Sequence, residues 1–311
     1  MSFKVRYHDF WPGFNPEEFL ITGLLRTQVG QELSVVTNPD TFVDLEIWSV
    51  FTFSSWKEKL IARTFAERSE EALKDYSTRA LRGHRTRFSS KARKRLWYTG
   101  ENLRPPVDVF DATCSFDVTD NNTRNIFLPY WMMRMDFGIT TKGSEIFPRA
   151  EELMRSRKFS KANPSLCTFS SVYEPSRAAY LKALRSSNYF GEIGTFGKLY
   201  GGWVESKKET AEKYLFQLCN ENDLYPNYVT EKLQEAFICG NIPIWSGLDH
   251  NKYFNKLAMI DVTGKNSEQI RQEIGNLSSD ELVEIYEQPL LNYLPDLDEV
   301  TQKLGDWIID I

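Results

Sequence analysis

Hydrophobic and polar positions in the first half of the chain alternate as they do in strands that are covered by helices. The pattern predicts three strands, at Phe3–Phe10, Glu32–Val36 and Val43–Trp48, and a helix between the first two. That helix is predicted to begin after Asn15, because Pro16 and two glutamates follow in its first turn. Strands and helices that alternate with short turns predict a parallel α/β sheet.

The second half of the chain repeats this order around one central stretch. A buried strand, Leu215–Cys219, is followed by a polar run, a helix and a second buried strand, Ile242–Trp245. The helix is predicted to start within Tyr228–Lys232 and to end at Gly240, since glycine commonly terminates helices. The pattern therefore predicts a second α/β unit, and the apolar run Ile126–Trp131 is predicted to be a strand of the first.

Length and composition support this division. The chain has 311 residues, of which 41% are apolar and 26% charged, as in globular proteins large enough for two domains. We predict the boundary in the charged passage near residue 155, which gives domains 1–155 and 156–311. The final helix is expected to be able to pack back on the first domain.

Charge, cysteine and histidine content narrow the classes of function. The net charge of -5 gives no overall attraction to nucleic acid, and four scattered cysteines without a C-x-x-C pair favour reduced thiols. Because the chain has three histidines, a His-rich metal site is not expected. The run Asp296-Leu297-Asp298 resembles a D-x-D metal motif, but acidic residues in the first turn of a helix explain it more simply. Since no apolar leader or membrane-spanning run stands in the sequence, we expect a cytoplasmic location.

A basic run from Arg82 to Arg95 follows a charged, helical segment at Ser55–Arg79. A nucleic-acid site, a solvated loop and a patch for an anionic acceptor glycan or a membrane surface all fit such a run. Few aromatic residues lie there and the rest of the chain is acidic, which favours the loop or the patch over nucleic acid. Peripheral contact with the inner membrane therefore stays open.

Polar residues in the second half are predicted to lie at the carboxyl ends of strands, where α/β sheets bind ligands. Arg177 opens a helix, and Lys232 lies in the first turn of another, whose free N–H groups suit an anion. We therefore predict a nucleotide-phosphate site. A surface arginine and a solvated Glu231–Lys232 pair would give the same pattern.

Two candidate positions lie in the first half. Glu101 follows a short apolar strand and Gly100, which would place its carboxylate at a sheet edge. Trp11 and Gly13 lie in the loop beyond the first strand, where ligand-facing residues collect. The alternative that Trp11 merely packs on the domain edge is equally open.

Three runs in the second half together resemble the signature of glycosyltransferase family 10, the α-1,3/4-fucosyltransferases, and in particular its bacterial, Helicobacter-like branch. They are Asn220-Glu221-Asn222, Tyr228-Val229-Thr230-Glu231-Lys232 and Ile242-Pro243-Ile244. The run Leu96–Asn102 and the strand–turn pattern that ends at Arg177 also fit, so the likeness covers most of residues 96–290. Asn220 stands where the family usually has an aromatic residue.

The resemblance implies the GT-B class of α/β fold, with two Rossmann-like domains whose parallel sheets face a central cleft. It implies inverting transfer of L-fucose from GDP-β-L-fucose to a GlcNAc or Glc hydroxyl, in α-1,3 or α-1,4 linkage. The implied acceptor is an oligosaccharide such as N-acetyllactosamine or a type 1 chain, as in Lewis antigens, and no obligatory metal is implied. Another GDP-sugar transferase and a non-catalytic glycan- or nucleotide-binding module remain alternatives.

The resemblance also assigns roles to individual residues. Glu101 is implied to be the general base, while Arg177 and Lys232 neutralise the diphosphate of the donor. The remaining donor-binding residues are implied to be Asn222, Tyr228 and Glu231. Trp11 and Gly13 are assigned to the acceptor side.

Overall fold

The computed structural model describes residues 2–11, 13–50, 91–102, 110–118, 124–140, 147–160, 163–171 and 173–309. The predicted helical segment Ser55–Arg79 lies outside these residues, as do the first three arginines of the basic run, Arg82, Arg85 and Arg87. The chain divides into two compact units. The first unit comprises Met1–Met133, Gly138–Gly143 and Asp296–Ile311, and the second comprises Arg134–Phe137 and Ser144–Pro295.

The first unit is built on a six-stranded sheet in the order β2-β1-β3-β4-β5-β6, in which every neighbouring pair is parallel. Its strands are β1 Phe3–His8, β2 Leu33–Val35, β3 Val43–Trp48, β4 Ala92–Tyr98, β5 Ala112–Ser115 and β6 Asn125–Phe127. Among the described residues of the first half of the chain, its helices are α1 Leu20–Gln28 and α2 Tyr130–Met133, and a 3-10 helix spans Pro16–Glu18. Helix α1 buries Leu20, Ile21, Leu24 and Leu25, and its Thr22 hydroxyl lies 2.5 Å from the hydroxyl of Tyr7 on β1.

The second unit is built on a five-stranded parallel sheet in the order β11-β10-β9-β7-β8. Its strands are β7 Ser165–Phe169, β8 Glu192–Phe196, β9 Phe216–Leu218, β10 Ile242–Trp245 and β11 Ile260–Asp261. Its helices are α3 Ala150–Leu153, α4 Pro175–Arg185, α5 Lys207–Ala211, α6 Lys232–Ile238, α7 Ser267–Gly275 and α8 Ser279–Glu287. The prediction of an α/β fold with parallel sheets is therefore confirmed for both units.

The predicted strand Ile126–Trp131 is wrong in its second half, since β6 ends at Phe127 and α2 begins at Tyr130. Pro129 separates the two elements. Because proline has no backbone N–H, it cannot donate a hydrogen bond to a neighbouring strand, and β6 ends before it. Its carbonyl accepts a hydrogen bond from the N–H of Met132 at 3.1 Å, at the start of α2. The apolar residues of α2 are buried as a helix, which a short apolar run does not reveal.

The two units divide at residues that differ from the predicted division at 155/156. Residues 144–155 belong to the second unit, where the N–H groups of Leu290 and Leu291 both bond to the carbonyl of Leu153. The last helix, α9 Leu297–Ile309, belongs to the first unit and packs on α1. Their approach is close, because a Cβ atom at Gly305 would lie 2.4 Å from the side-chain oxygen of Gln28.

A buried ion pair joins two neighbouring strands of the first unit, β1 and β3. Arg6 on β1 and Glu46 on β3 are register partners, and Arg6 Nη1 lies 2.9 Å from Glu46 Oε1. Arg6 Nη2 also donates to the carbonyl of Asn38 at 2.6 Å, and the indole N–H of Trp48 lies 3.3 Å from Glu46 Oε2. The side chains of the pair are 5% and 1% exposed, so neither charge has water to replace its partner.

We predict that Arg6→Met lowers the free energy of unfolding by about 3–5 kcal/mol, because the buried Glu46 carboxylate would lose its guanidinium partner. Urea titration measures the change. Arg26→Met is the control, because the Arg26–Glu17 pair is 38% and 46% exposed and such pairs contribute about 0–1 kcal/mol. Equal effects of the two substitutions would contradict the prediction.

Candidate functional site

The candidate site of the second unit lies where β7 and β9 end. These strands pair in parallel, so Ser170 after β7 and Asn220 after β9 lie at the same, carboxyl edge of the sheet. Ligands of parallel α/β sheets bind at this edge. Side chains that follow the two strands therefore converge there, although they are about fifty residues apart in the chain.

Arg177 is held at this edge by α4. Glu174 caps the helix, since its carboxylate accepts bonds from the backbone N–H groups of Ser176 at 3.2 Å and of Arg177 at 2.8 Å. This cap fixes the first turn of the helix, from which the Arg177 side chain reaches the ends of both strands. The residue is 5% exposed.

The Arg177 guanidinium donates to four uncharged oxygens. Nη1 donates to Ser170 Oγ at 2.6 Å, and Nε donates to Asn220 Oδ1 at 3.2 Å. Nη2 donates to the Asn220 carbonyl at 3.2 Å and to Asn222 Oδ1 at 3.0 Å. The structure thus brings together two residues that the sequence analysis selected, Arg177 and Asn222. It gives the guanidinium a defined orientation without neutralising its charge in these four contacts.

A residue that the sequence analysis did not select, Glu221, holds the second half of the site. Its carboxylate is buried and accepts bonds from Thr230 N at 3.0 Å and Thr230 Oγ1 at 2.7 Å. Lys232 Nζ lies 3.1 Å from Glu221 Oε2 and donates to Thr230 Oγ1 at 2.6 Å. In the sequence, Glu221 follows a buried strand and stands in the run Asn220-Glu221-Asn222 that carries the family resemblance, but nothing there indicates partners nine and eleven residues further on.

Helix α6 begins at Lys232, the last residue of the predicted range Tyr228–Lys232, and Tyr228–Glu231 precede it. The backbone N–H of Thr230 is not free for an anion, because Glu221 accepts it. The Lys232 ammonium adds a full positive charge at this end of the helix. Burial alone would lower the pKa of Lys232, but the carboxylates of Glu221 and Glu231 raise it above its usual value, so the group stays protonated.

The other two predicted donor residues lie beside Lys232 in the chain. Glu231 is the residue before α6 and is half-buried. Burial acts to raise the pKa of its carboxyl group, but the charges of Lys232, Lys207 and Arg134 outweigh burial and lower it. Tyr228 is buried, with its backbone N–H bonded to the carbonyl of Tyr225 at 3.0 Å.

In the first unit, Glu101 follows β4 in a turn built on Thr99. Thr99 Oγ1 accepts from the Glu101 N–H at 3.2 Å and donates to the Glu101 carbonyl at 2.5 Å, while Glu101 is half-buried. Gly100 is required, because a Cβ atom there would lie 2.8 Å from the ring of Tyr130 and 3.1 Å from the hydroxyl of Tyr98. The turn therefore determines where the Glu101 backbone lies.

Trp11 and Gly13 lie in the loop after β1. The Trp11 ring packs against Phe10, Phe14 and Phe19, with centroid distances of 5.6, 5.0 and 6.5 Å. Gly13 is exposed and has a φ of +80°, which favours glycine. These contacts are those of an aromatic cluster at the carboxyl end of β1, and the acceptor role of both residues stays a prediction.

Two further features bear on metals and membranes. Within the described ranges, no group of three or more His, Cys, Asp or Glu residues is arranged to hold a metal ion. Asp296 Oδ1 accepts the N–H groups of Asp298 at 2.9 Å and Glu299 at 3.1 Å, so the D-x-D sequence caps α9. None of the helices in the described part of the chain has the length and apolar character to cross a membrane.

Comparison with known proteins relates this site to one family. Residues 159–286 match the family model for the C-terminal region of glycosyltransferase family 10 (fucosyltransferase). The alpha-(1,3)-fucosyltransferase FucT of Helicobacter pylori is 29% identical over 194 residues, which are 54% of this chain and 41% of that protein. The mouse 4-galactosyl-N-acetylglucosaminide 3-alpha-L-fucosyltransferase 9 is 34% identical over 84 residues, 26% of this chain and 23% of that one. The match thus spans less than half the length of these relatives.

Solved structures agree in fold. A crystal structure of an α1,3-fucosyltransferase with GDP-fucose superimposes with a TM-score of 0.67 at 18% identity, covering 99% of this chain and 90% of that one. The structure with GDP gives a TM-score of 0.66 at 19% identity, with coverage of 100% and 91%. At such identity the likeness establishes the fold, and it confirms the predicted GT-B class with its two parallel sheets. The family model thus confirms, over residues 159–286, the predicted resemblance to glycosyltransferase family 10, the fucosyltransferase family.

Proposed function

We propose that the protein is an inverting fucosyltransferase that moves L-fucose from GDP-β-L-fucose to a GlcNAc or Glc hydroxyl of an acceptor glycan. The observation that carries this proposal is the Arg177 guanidinium, which is buried among uncharged oxygens inside the segment that matches the family. Relatives named as α-1,3-fucosyltransferases and a crystal structure that contains GDP-fucose support the choice of donor.

The electrostatic argument starts from the cost of a buried charge. A cation removed from water is unfavourable unless a counter-charge or several hydrogen bonds replace the water. Arg177 has the hydrogen bonds, and a guanidinium has five N–H groups, of which the described contacts use four. The remaining N–H on Nη1, together with the unneutralised charge, suits an oxygen of a diphosphate.

Lys232 supplies the second cation of the proposed diphosphate site. The charge of Arg177 acts on Lys232 by lowering its pKa, so the two cations repel each other, and Glu221 and Glu231 more than offset that repulsion. A bound diphosphate would also reduce the repulsion between Arg177 and Lys232, because its negative charge attracts both. As the fucose–phosphate bond breaks, negative charge grows on the leaving GDP, and both cations would stabilise that charge.

The remaining roles rest on the family resemblance. Glu101 would act as general base by taking the proton of the acceptor hydroxyl, which then attacks the anomeric carbon in a single displacement and inverts its configuration. Asn222 and Glu231 would bind hydroxyl groups of the fucose or the ribose, and Tyr228 would contact the donor. No step of this proposal uses a divalent metal.

The acceptor is proposed to be N-acetyllactosamine or a type 1 chain, with an α-1,3 or α-1,4 linkage, and with Trp11 and Gly13 on the acceptor side.

We also propose a cytoplasmic location. For membrane contact through the basic run, the described residues give little support, since Lys91 lies 2.9 Å from Asp40 and Arg93 lies 3.9 Å from Asp44. Incubation with GDP-fucose and an acceptor panel, followed by linkage analysis, tests the reaction. If the protein transferred a sugar from GDP-mannose or UDP-galactose and not from GDP-fucose, the proposed donor would be wrong.

We predict that Glu101→Gln lowers kcat by about 10²-fold or more, because an amide cannot take the proton of the acceptor hydroxyl. GDP affinity should stay unchanged, since Glu101 lies outside the donor site of the second unit. Steady-state transfer and calorimetric titration with GDP measure the two quantities. Near-normal turnover of the variant would remove Glu101 from the mechanism.

We predict that Arg177→Ala and Lys232→Ala each weaken GDP binding by about 10-fold to 100-fold, as expected when a charge-assisted hydrogen bond of about 1.5–3 kcal/mol is lost. Calorimetry measures the affinity, and circular dichroism checks that the buried substitutions leave the protein folded. Arg185→Ala is the control, because Arg185 is an exposed cation in the last turn of the same helix as Arg177. If all three variants bind GDP as the unmodified protein does, the diphosphate site lies elsewhere.

A further inference from the structure

The Asn220 side chain lies between the Arg177 guanidinium and the first turn of α4. It is fully buried, and its Oδ1 accepts from Arg177 Nε at 3.2 Å. The backbone carbonyl of the same residue accepts from Arg177 Nη2, also at 3.2 Å. Asn220 therefore supplies two of the four oxygens described around the guanidinium. Because the guanidinium is planar, bonds to Nε and Nη2 together fix the plane of the group.

The partners of the Asn220 amide determine which way it points. A guanidinium can only donate, so the amide oxygen must face Arg177. The amide Nδ2 then faces the Ser176 hydroxyl at 3.5 Å and the carbonyl of Glu221 at 3.3 Å. The Ser176 oxygen can accept there, since its own proton is donated to Glu174. An acceptor on one side and a donor on the other are what a neutral amide provides.

Two carboxylates stand close to Arg177 in the fold, and the described contacts direct both of them elsewhere. Glu174 accepts the backbone N–H groups of Ser176 and Arg177, so its charge stabilises the start of α4. Glu221, the residue after Asn220, accepts from Thr230 and Lys232. The group that faces Nε of the guanidinium is instead the uncharged amide of Asn220.

We propose that Asn220 is a positioning residue, whose neutral amide orients the Arg177 guanidinium while leaving its charge for the phosphates of a nucleoside diphosphate. A carboxylate of the same shape would also orient the guanidinium, but it would neutralise it, as Glu46 neutralises Arg6 in the first unit. This inference rests on the proposed function, because it gives Arg177 a diphosphate to bind. It assigns Asn220 no contact with the substrate.

The main test is Asn220→Asp, which keeps the shape of the side chain and replaces the amide by a carboxylate. The new carboxylate would pair with Arg177 in a buried place, so GDP should bind about 10-fold to 100-fold more weakly, as expected when one charge-assisted hydrogen bond is lost. Guanosine has no phosphate, so its affinity should change by less than about 2-fold. Calorimetric titration measures GDP, and competition with GDP measures guanosine.

The comparison of GDP with guanosine separates this role from a purely structural one. Damage to the fold would weaken the binding of both ligands and lower the melting temperature. The melting temperature of Asn220→Asp should stay close to that of the unmodified protein, because the new ion pair with Arg177 offsets the bond from Nδ2 to the Glu221 carbonyl. In steady-state assays kcat should fall and KM for GDP-fucose should rise, since a neutralised Arg177 stabilises the leaving GDP less.

Two further variants complete the test. Asn188→Asp is the matched control, because it adds the same charge at an exposed residue whose φ of +56° aspartate also tolerates. It should leave GDP affinity within about 2-fold of the original. Asn220→Leu has a similar size but no oxygen, so Arg177 keeps its charge and loses the bond to Nε. The ratio of guanosine to GDP dissociation constants should fall by about 3-fold to 10-fold in this variant, which is less than in Asn220→Asp.

The inference is overturned if Asn220→Asp binds GDP as tightly as the unmodified protein, or if it loses affinity for GDP and guanosine alike. A leucine variant with a lower guanosine-to-GDP ratio than the aspartate variant would overturn it too, because charge at this position would then not matter. Should the aspartate variant not fold, Asn220→Leu decides alone, and an unchanged ratio contradicts the role of Asn220.

Failure of the proposed function gives a different result. If the unmodified protein binds GDP no more tightly than guanosine and does not turn over GDP-fucose, the function is wrong and the role of Asn220 falls with it. If the unmodified protein prefers GDP and its Asn220→Asp variant keeps that preference, only the role of Asn220 is wrong. The unmodified protein alone thus distinguishes the two failures.

Discussion

The buried carboxylate of Glu221 is the interaction on which the candidate site depends. It lies just beyond the end of β9 and holds the backbone and hydroxyl of Thr230 and the ammonium of Lys232. Strand, loop and helix are thereby joined through one side chain that water does not reach. Because an unpaired buried carboxylate is costly, all three bonds must form together, and the position of Lys232 follows from them.

The two cations of the site have different partners: Lys232 is paired with a carboxylate, whereas the Arg177 guanidinium donates to uncharged oxygens. Lys232 is neutralised in part by Glu221, so it stays protonated and well placed. Arg177 is oriented by the oxygens of Ser170, Asn220 and Asn222, none of which carries a charge. Its orientation is therefore determined within the protein, while these four contacts leave its charge unneutralised.

The buried ion pair of the first unit shows why Arg177 is informative. Arg6 and Glu46 are also buried, but they are register partners on paired strands and neutralise each other at 2.9 Å. Such a pair needs no ligand and is explained by the sheet alone. Arg177 has no carboxylate among the four groups that accept from its guanidinium. The comparison thus separates a buried arginine that stabilises the fold from one that is suited to an anion.

The sequence by itself determined the class of fold and the positions of most strands, because apolar alternation and turn residues are local signals. Strands β3 and β10 have the predicted bounds, and the run Tyr228–Lys232 led to the family that the comparison then matched. The residue types at Arg177 and Lys232 likewise indicated an anion site. The local pattern misjudged the end of β6, where a proline decided the outcome.

Only the tertiary structure decided which charges meet. Glu221 and Lys232, like Lys207 and Glu235, are separated in the chain by loops and strands whose folding no periodicity describes, so their pairing had no sequence signal. The same holds for the oxygens around Arg177, which come from the ends of two strands about fifty residues apart. Local propensity selects the helices and strands, whereas the parallel pairing of strands selects which of their ends become neighbours. The candidate site lies at those ends.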